Sequence, residues 1–582
     1  MRKLLSVLLV AIMVMTMFIP AFAEDATKVT LKIDSPKEGS SYTAYEILTA
    51  TQKGVDSDGK AVYTYAVTEN FKDFFKTKET AKEGEYYHTS NFEIYRKAAA
   101  GQEDVAIATD ARETAGEKDS VKTVGTATTG LKNTNATDAS RFASALEKYV
   151  ADKKITGTPN VENDVPVNKG YYLVSETSSP QGSETKDVDM VASKPIVISV
   201  LDNTTVKPKD DKVTLEKKII ENNLPVDEND KTIGDNITYR VETSLPNYKA
   251  DVVTGEVIDE GKLKFELSDT FDAGLTYNKD VKVYVGDVTF ENDAVKTGTE
   301  LDAANYTVSA VTDNGFKVSI KTSYIANHMG QKLTLVYTGK LNENAKVNDS
   351  TGNVNKINLV YTNNPNQENS VGYLKDDVKT YTYGFKLHKV DATDNTKDMA
   401  GAEFKIYKKN EGAADTEAAT AYEGKTAIAA IGYDADGKIT ISETLDGSDA
   451  QTGVAANYAT ISGLDAGKYV IVETQAPSGY AKISEVVNVT ITEIKDGEKL
   501  TGKAMITVNG GGEATEESGL NELKVKQSAD GAINMIAKLV NYPGVSLPET
   551  GAMTALYMMI GGAVLLVLGI GAFVAARKLE KK

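Results

Sequence analysis

Short runs in which polar and apolar residues alternate recur along most of the chain, and Gly, Asn and Asp separate them. Residues 28–33 (KVTLKI) and 236–242 (NITYRVE) show this pattern, which places every second side chain on one face of a strand. Residues 141–152 (RFASALEKYVAD) have the clearest helical spacing. The pattern predicts a mostly β protein whose short strands pack as several β-sandwiches, with a helix in the first third of the chain.

Each end of the chain carries a long apolar run without charge. At the N-terminus, Arg2 and Lys3 precede such a run, and Ala21-Phe22-Ala23 follows it, so residues 1–23 are predicted to be a secretory signal peptide. At the other end, residues 552–576 are long enough to cross a bilayer as a tilted helix. The basic residues 577–582 behind this span are expected to stay on the cytoplasmic side.

Composition excludes several classes of function. The formal net charge is −18 and basic residues do not cluster outside the termini, so we expect no nucleic-acid partner. Without cysteine, neither disulfides nor thiolate metal sites are available, and an exported chain must rely on packing or on another covalent link. The three histidines are isolated in sequence and no phosphate loop or nucleophile elbow occurs, so we expect no metal, no cofactor and no enzymatic activity.

An internal repeat relates two distant parts of the chain. Residues 170–182 (GYYLVSETSSPQG) and 467–479 (GKYVIVETQAPSG) both fit G-x-Y-x-x-x-E-T-x-x-P-x-G, which suggests that they lie in similarly built domains. The predicted organisation consists of a first region, a linker, a middle region, a third region and a C-terminal segment. Their predicted boundaries are 24–205, 206–211, 212–376, 377–545 and 546–582, respectively.

Five residues just before the C-terminal apolar run form an LPxTG pattern: Leu547, Pro548, Glu549, Thr550 and Gly551. Followed by an apolar span and a basic tail, the pattern resembles the sortase sorting signal of Gram-positive bacteria. The resemblance implies that a membrane transpeptidase cleaves between Thr550 and Gly551 and transfers the threonine carbonyl to an amine. A short extended segment outside the membrane is accessible to such an enzyme.

The third region resembles collagen-adhesin B-type (CnaB) domains in its FKLHKVD, GAEF, YVIVETQAPSGY and KLVNYPG segments. The resemblance implies an intramolecular isopeptide bond between Lys386 and Asn541, with Glu473 as the acid. A lysine amine attacks only when neutral, and burial lowers its pKa while raising that of a carboxyl group. Lys389, three residues further on and on the opposite strand face, is the alternative to Lys386.

The middle region resembles the A-type domain of pilin subunits in its VTLEKK, IGDNITYRV, LSDTFDAGLTY and YTNNP segments. A second isopeptide bond is therefore expected, with Asp269 as the acid. Lys217 is preferred to Lys218 because strand alternation places it with the apolar residues. Asn363 is the expected acceptor, since it lies two residues before a proline as Asn541 does, and Asn364 is the alternative.

The first region carries Glu176 in the repeated motif. A third bond from Lys32 or Lys28 to Asn203 or Asp210 is a further hypothesis, and an ordinary solvated glutamate explains the motif at least as well.

The linker segment Val206-Lys-Pro-Lys209 resembles the pilin motif, in which a lysine after proline accepts the threonine carbonyl of the next subunit. It departs from the commoner Tyr-Pro-Lys-Asn form, because Lys207 replaces Tyr and Asp210 replaces Asn. Lys209 is the expected acceptor, and Lys207 and Lys212 remain alternatives. An amine that serves an external enzyme should be exposed and mobile, as linkers allow.

Taken as a whole, the chain resembles a sortase-assembled backbone (major) pilin built from tandem immunoglobulin-like (Cna-type) sandwiches. The resemblance implies a cell-wall-anchored surface pilus in which a pilus-type sortase joins Thr550 to Lys209 of an identical subunit. Further implied partners are accessory or tip pilins and peptidoglycan, and the filament would support adhesion and colonisation. The alternative function is a single-copy wall-anchored adhesin whose first region binds a host ligand, which does not need Lys209.

Overall fold

A computed structural model describes most of the chain between residues 28 and 543. The described ranges are 28–56, 58–110, 130–248, 263–365, 367–394, 397–410, 412–414, 416–428, 439–440, 458–508, 523–525 and 535–543. The predicted signal peptide, LPETG motif, membrane span and basic tail lie outside these residues.

Strands dominate the first region. The elements are Lys28–Ile33 (β1), Ser41–Val55 (β2), Ala61–Val67 (β3), Tyr86–His88 (β4), Ile94–Arg96 (β5), Val105–Asp110 (β6), Leu131–Asn133 (β7), Ala136–Lys153 (α1), Thr158–Pro159 (β8), Val165–Asn168 (β9), Gly170–Ser178 (β10), Ile196–Val200 (β11), Thr204–Val206 (β12) and 3-10 turns at Glu69–Phe71 and Val161–Asn163. They form a three-stranded sheet β12-β1-β9, a sheet β11-β10-β2-β3 to which β8 is added, and a four-stranded sheet β4-β5-β6-β7.

The sheet that contains β10 is buried on both faces. On one face, residues such as Leu31 and Ile33 of β1 close an apolar core with Tyr172 and Val174. On the other face, a second core contains residues of α1 and of the four-stranded sheet. The first region therefore has a two-sheet core, as the sequence predicts, with an additional layer that the alternating pattern does not reveal.

The predicted helix over 141–152 is confirmed as α1, which begins five residues earlier. Asn135 caps it by accepting a hydrogen bond from the Asp138 backbone N–H. Phe142, Leu146 and Val150 recur at helical spacing and are buried against the sheet.

The middle region is a sandwich of two large sheets. Its elements are Leu215–Glu221 (β13), Leu224–Val226 (β14), Glu228–Asp230 (β15), Asn236–Ser244 (β16), Phe265–Phe271 (β17), Leu275–Tyr277 (β18), Lys282–Glu291 (β19), Ala294–Glu300 (β20), Ala303–Asn305 (3-10), Tyr306–Thr312 (β21), Gly315–Ile320 (β22), Thr322–Asn327 (α2), Lys332–Leu341 (β23), Asn353–Tyr361 (β24) and Gly372–Tyr381 (β25). One sheet has the order β14-β13-β16-β23-β19-β20, with β18 added to β23, and the other has the order β15-β25-β24-β17-β22-β21. The inner faces of both sheets enclose one continuous apolar core.

The third region is a smaller sandwich. Its elements are Tyr383–Asp391 (β26), Glu403–Lys408 (β27), Ala419–Tyr422 (3-10), Ile439–Thr440 (β28), Tyr458–Leu464 (β29), Gly467–Gln475 (β30), Val487–Asp496 (β31), Lys499–Val508 (β32), Leu523–Val525 (β33) and Met535–Asn541 (β34). The sheets have the orders β29-β26-β34-β33 and β28-β27-β30-β31-β32. The first and last strands, β26 and β34, are parallel neighbours.

The mostly β prediction, with tandem β domains, is confirmed. Within the part of the chain that the structure describes, no helix is both long enough and apolar enough to span a bilayer.

Candidate functional site

A buried lysine, acid and amide come together in the third region. Lys389 lies on β26 and is completely buried, on the same strand face as the core residues Phe385 and Leu387. Glu473, near the end of β30, and Asn541, the last residue of β34, are also buried. The Asn541 side-chain amide donates to Glu473 Oε2 at 2.9 Å, and so does the Ile483 backbone N–H at 2.7 Å.

Three atoms of this cluster are buried without a hydrogen-bond partner among the described residues: Lys389 Nζ, Glu473 Oε1 and Asn541 Oδ1. Buried polar groups in proteins are nearly always hydrogen-bonded, because an unmade bond in the interior costs about 1–3 kcal/mol. Each member of this lysine–acid–amide set thus has one buried polar atom whose hydrogen-bonding capacity is unused among the described residues.

The electrostatics of the cluster favour uncharged groups. Burial lowers the pKa of Lys389 to about 8, although the nearby charges of Glu473 and Asp391 act in the other direction. Burial also raises the pKa of Glu473, against the hydrogen bonds from Ile483 and Asn541. A neutral amine can attack a carbonyl, and a protonated acid can polarise one.

The structure thus brings Lys389, rather than the expected Lys386, to Glu473 and Asn541. Lys386 is also mostly buried, but it lies on the opposite face of β26, where the sheet pairs it with Thr460 and Ile536. In the candidate site, Lys389 therefore occupies the position that was predicted for Lys386.

A second cluster lies between the two sheets of the middle region. Lys217 on β13 is completely buried, and its Nζ lies 2.6 Å from Asp269 Oδ2 on β17. It also donates to the Tyr337 hydroxyl, which in turn donates to Asp269. The rings of Tyr239 and Tyr337 pack over the amine, with their centroids 5.2 and 5.0 Å from Nζ. Burial lowers the pKa of Lys217, although the Asp269 carboxylate opposes this shift.

The amide at this cluster belongs to Asn355 of β24. Its Nδ2 donates to Asp269 Oδ1 at 2.6 Å, and its Oδ1 lies 3.3 Å from the Tyr337 hydroxyl. Lys217 lies beside Asp269 as predicted, but the amide that contacts them is that of Asn355 and not that of the predicted Asn363.

The predicted acceptor Asn363 and its alternative Asn364 are buried elsewhere, at the contact with the first region. Asn363 donates to the Pro180 carbonyl at 2.7 Å, and Asn364 donates to Ser179 Oγ at 3.1 Å. Strand alternation could have identified Asn355, because it shares the buried face of β24 with Ile357 and the following alternate residues.

In the first region, the structure does not bring Lys32, Glu176 and Asn203 together. Lys32 is about half exposed and pairs with Asp164 at 3.3 Å. Asn203 accepts the Thr30 backbone N–H at 2.9 Å. The alternative Lys28 is exposed at the start of β1.

Glu176 instead pairs with a lysine that the strand pattern did not identify. Lys37 lies in the connection between β1 and β2, and its side chain is 3 % exposed. Its Nζ is 2.9 Å from Glu176 Oε2 and 3.3 Å from Asp210 Oδ1. Glu176 is buried, so its reading as a solvated glutamate is incorrect.

The expected acceptor Lys209 lies between β12 and β13 with an exposed side chain. Its amine makes no hydrogen bond or ion pair to any other residue described in the structure, whereas Lys212 pairs with Asp189 at 2.8 Å. The backbone is held, because the Lys194 N–H donates to the Lys209 carbonyl at 3.1 Å. The amine is therefore accessible, and its main chain is anchored. Lys207 is also exposed.

Nothing in the described part of the chain suggests a metal centre, since no group of three or more His, Asp or Glu residues there is arranged to hold an ion.

The fold and these sites define a class of protein: a chain of tandem β domains with buried lysine–acid–amide clusters and an accessible lysine between the first two regions. Residues 384–504 match the SpaA family, described as a prealbumin-like fold domain. A fimbrial subunit type 2 of Actinomyces naeslundii is 26% identical over 455 residues, which cover 71% of this chain and 70% of that protein.

Two further matches come from Streptococcus pyogenes serotype M6. The trypsin-resistant surface T6 protein of Streptococcus pyogenes serotype M6 is 23% identical over 295 residues, or 48% of this chain and 45% of that protein. The solved structure of the T6 backbone pilin of serotype M6 Streptococcus pyogenes is 15% identical, covers 89% of this chain and 98% of its own, and has a TM-score of 0.45. The resemblance to Gram-positive backbone pilins predicted from the motifs is confirmed by the family match and the sequence relatives.

Proposed function

We propose that this protein is the shaft subunit of a covalent surface pilus, in which a pilus-type sortase joins Thr550 to Lys209 of the next subunit. The observation that carries the proposal is the accessible amine of Lys209, which has no partner in the described chain and sits on an anchored segment between the first two regions. The relative named as a fimbrial subunit, which matches 71% of this chain, supports the same function.

The proposed polymerisation exchanges one amide bond for another. The sortase breaks the bond between Thr550 and Gly551 and holds the threonine carbonyl as an acyl-enzyme, and the segment from Gly551 onward leaves as an amine. The neutral amine of Lys209 then attacks the acyl carbon and releases the enzyme. Because each subunit contributes one donor site, Thr550, and a different acceptor site, Lys209, the contact does not close on itself, and a filament results. Attachment of the last subunit to peptidoglycan would anchor the filament to the cell wall.

Two internal isopeptide bonds would strengthen each subunit, joining Lys389 to Asn541 and Lys217 to Asn355. In each case the lysine nitrogen bonds to the asparagine Cγ, the Cγ–Nδ2 bond breaks, and ammonia leaves with the protons that the neighbouring acid transfers. The hydrogen-bond distances from Glu473 and Asp269 to the asparagine amides support this transfer. The bonds form within the chain itself, which otherwise acts as a sortase substrate and building block.

A denaturing gel of cell-wall extracts tests the polymer. Cells that make the full chain together with its sortase should show a ladder of covalent multimers, and Lys209→Ala should reduce it to the monomer. Lys207→Ala and Lys212→Ala are matched controls that remove neighbouring amines and should leave the ladder intact. A single band in the wild type would instead favour the wall-anchored adhesin, which needs no acceptor lysine.

A further inference from the structure

An ionic network in the first region lies directly beside Lys209, the proposed acceptor, and its charged groups are hydrogen-bonded to several partners. The Lys37 ammonium contacts three acceptors: Glu176 Oε2 at 2.9 Å, the Val191 carbonyl at 2.5 Å and Asp210 Oδ1 at 3.3 Å. These acceptors come from β10, from the connection between β10 and β11, and from the segment after β12. One buried amine thus joins three separate parts of the chain.

Glu176 is equally well bonded. Besides Lys37, its carboxylate accepts from Ser40 Oγ at 2.8 Å, from Ser179 Oγ at 2.7 Å, and from both the backbone N–H and the hydroxyl of Ser193 at 2.7 Å. Burial alone would raise the pKa of Glu176, but Lys37 and these hydrogen bonds outweigh it and lower the pKa below its ordinary value. The Glu176 carboxylate is therefore favoured in its charged form.

Asp210 connects this pair to the acceptor segment, since it follows Lys209 directly. Its Oδ1 contacts Ser193 Oγ at 2.6 Å as well as Lys37, while about 29% of its side chain remains exposed. The side chain of Val191, whose carbonyl binds Lys37, packs in the core of the middle region. The network therefore holds the acceptor segment at the junction between the first two regions.

We propose that Lys37, Glu176 and Asp210 form an ionic clamp that positions Lys209 for attack on the sortase-bound carbonyl. The inference rests on the proposed function of Lys209. Precise placement of a nucleophile lowers the entropic part of a barrier, and a hydrogen-bonded network around a buried ion pair restrains a short irregular segment better than its backbone bonds do alone. Lys37, Glu176 and Asp210 are positioning residues, because none of them reacts.

The clamp differs from the proposed cross-link site of the third region in the bonding of its lysine. There, the lysine is buried where its charged form is disfavoured, and Lys389 Nζ has no hydrogen-bond partner among the described residues. Here, the Lys37 amine has three acceptors, which are Glu176 Oε2, the Val191 carbonyl and Asp210 Oδ1. The clamp as proposed holds Lys37 to Asp210 through this ion pair and needs no amide bond between them.

The principal test is Asp210→Ala in cells that make the full chain with its sortase. This variant removes the link to Lys209 but leaves Lys37 paired with Glu176, so the fold should persist. Ladder formation in a pulse-chase experiment should slow by about fivefold, as expected for loss of one partly exposed charged contact. Asp202→Ala is the matched control, because it removes an exposed carboxylate from the same stretch and should polymerise at the wild-type rate.

Two measurements on monomer from sortase-deficient cells separate positioning from simple accessibility. In Asp210→Ala, acylation of Lys209 by an amine-reactive ester should be unchanged, whereas hydrogen exchange at the Lys194 amide, which donates to the Lys209 carbonyl, should accelerate. Lys37→Met should accelerate the same exchange more strongly, because it releases all three segments.

The outcomes distinguish failure of the clamp from failure of the acceptor. If Lys209→Ala still forms a ladder, the proposed function is wrong and the clamp has no role. If Lys209→Ala abolishes the ladder but Asp210→Ala polymerises and exchanges like the wild type, the clamp alone is refuted. A peptide joining Lys37 to Asp210 with the loss of one water would also overturn it, since the contact would then be covalent.

Discussion

Replacing Glu473 by Gln should remove the proposed bond in the third region while changing the shape of the site very little. The substituted amide can still contact Asn541, but it cannot exchange protons with the Lys389 amine and the leaving ammonia. We therefore expect the mature chain with Glu473→Gln to be heavier than the wild-type chain by about one ammonia, with the small mass difference of the substitution itself taken into account.

The loss of stability follows from the size of the loop that the bond closes. Residues 389 and 541 are about 150 residues apart, and the chain-entropy relation for a cross-link of that length gives about 5 kcal/mol at 25 °C. For a domain of this size, each kcal/mol moves the melting temperature by about 2–4 °C. The thermal transition of the third region should therefore fall by about 10–20 °C in the variant.

Intact-mass spectrometry and scanning calorimetry on the same samples check this prediction. Glu498→Gln is the control, because Glu498 is an exposed residue between β31 and β32 and its substitution should change neither the bond nor the melting temperature. A wild-type mass without any ammonia loss would refute the bond. A variant that lacks the bond but melts with the wild type would refute the entropic argument.

The remaining predictions concern the acceptor in the middle region and the buried lysine in the third. Asn355→Ala should prevent the bond in the middle region, so that the intact mass shows one fewer loss of ammonia, whereas Asn363→Ala should retain that loss. The opposite result would identify Asn363, the residue predicted from sequence, as the acceptor. In Asn541→Ala, which cannot cross-link, the folded-state pKa of Lys389 near 8 lies below the ordinary lysine value near 10.4. The unfolded chain then binds more protons between these values, so urea denaturation should show stability rising from about pH 8 to 10, and a flat or falling profile would contradict the assignment.

The strand pattern predicts the β-sandwiches better than it predicts the additional layer of the first region. Period-two alternation identified the sandwich strands because each has one face toward a core, and α1 was identified from its apolar stripe. Strand alternation does not predict the second core of the first region. The strand β10 is buried on both faces, so polar and apolar residues do not alternate along it.

Lys389 and Asn355 both lie on the buried faces of their strands. Strand alternation selected Lys217 over Lys218, and the same rule places Lys389 with Phe385 and Leu387. The resemblance to CnaB domains implies Lys386 instead. The position before a proline predicts Asn363 as the acceptor, whereas strand alternation predicts Asn355, which is on the buried face of β24.

Lys37 could not have been identified in this way. It lies in an irregular connection, where side-chain direction has no period, and only the folded chain brings it to Glu176 across 139 positions. Long-range electrostatic pairs of this kind depend on tertiary contacts, which a single sequence does not specify.

The position of the middle amide at Asn355 has a mechanical consequence. Suppose that a pulling force is applied between Lys209 and Thr550. The proposed bond then transmits the force from Lys217 directly to Asn355. No covalent cross-link spans residues 356–382, so these residues bear the force through their own backbone. That segment includes β25 and has a contour length of about 90 Å at full extension. A pilus made of such subunits would resist extension in its third region but could lengthen in its middle region if β25 were pulled out of its sheet.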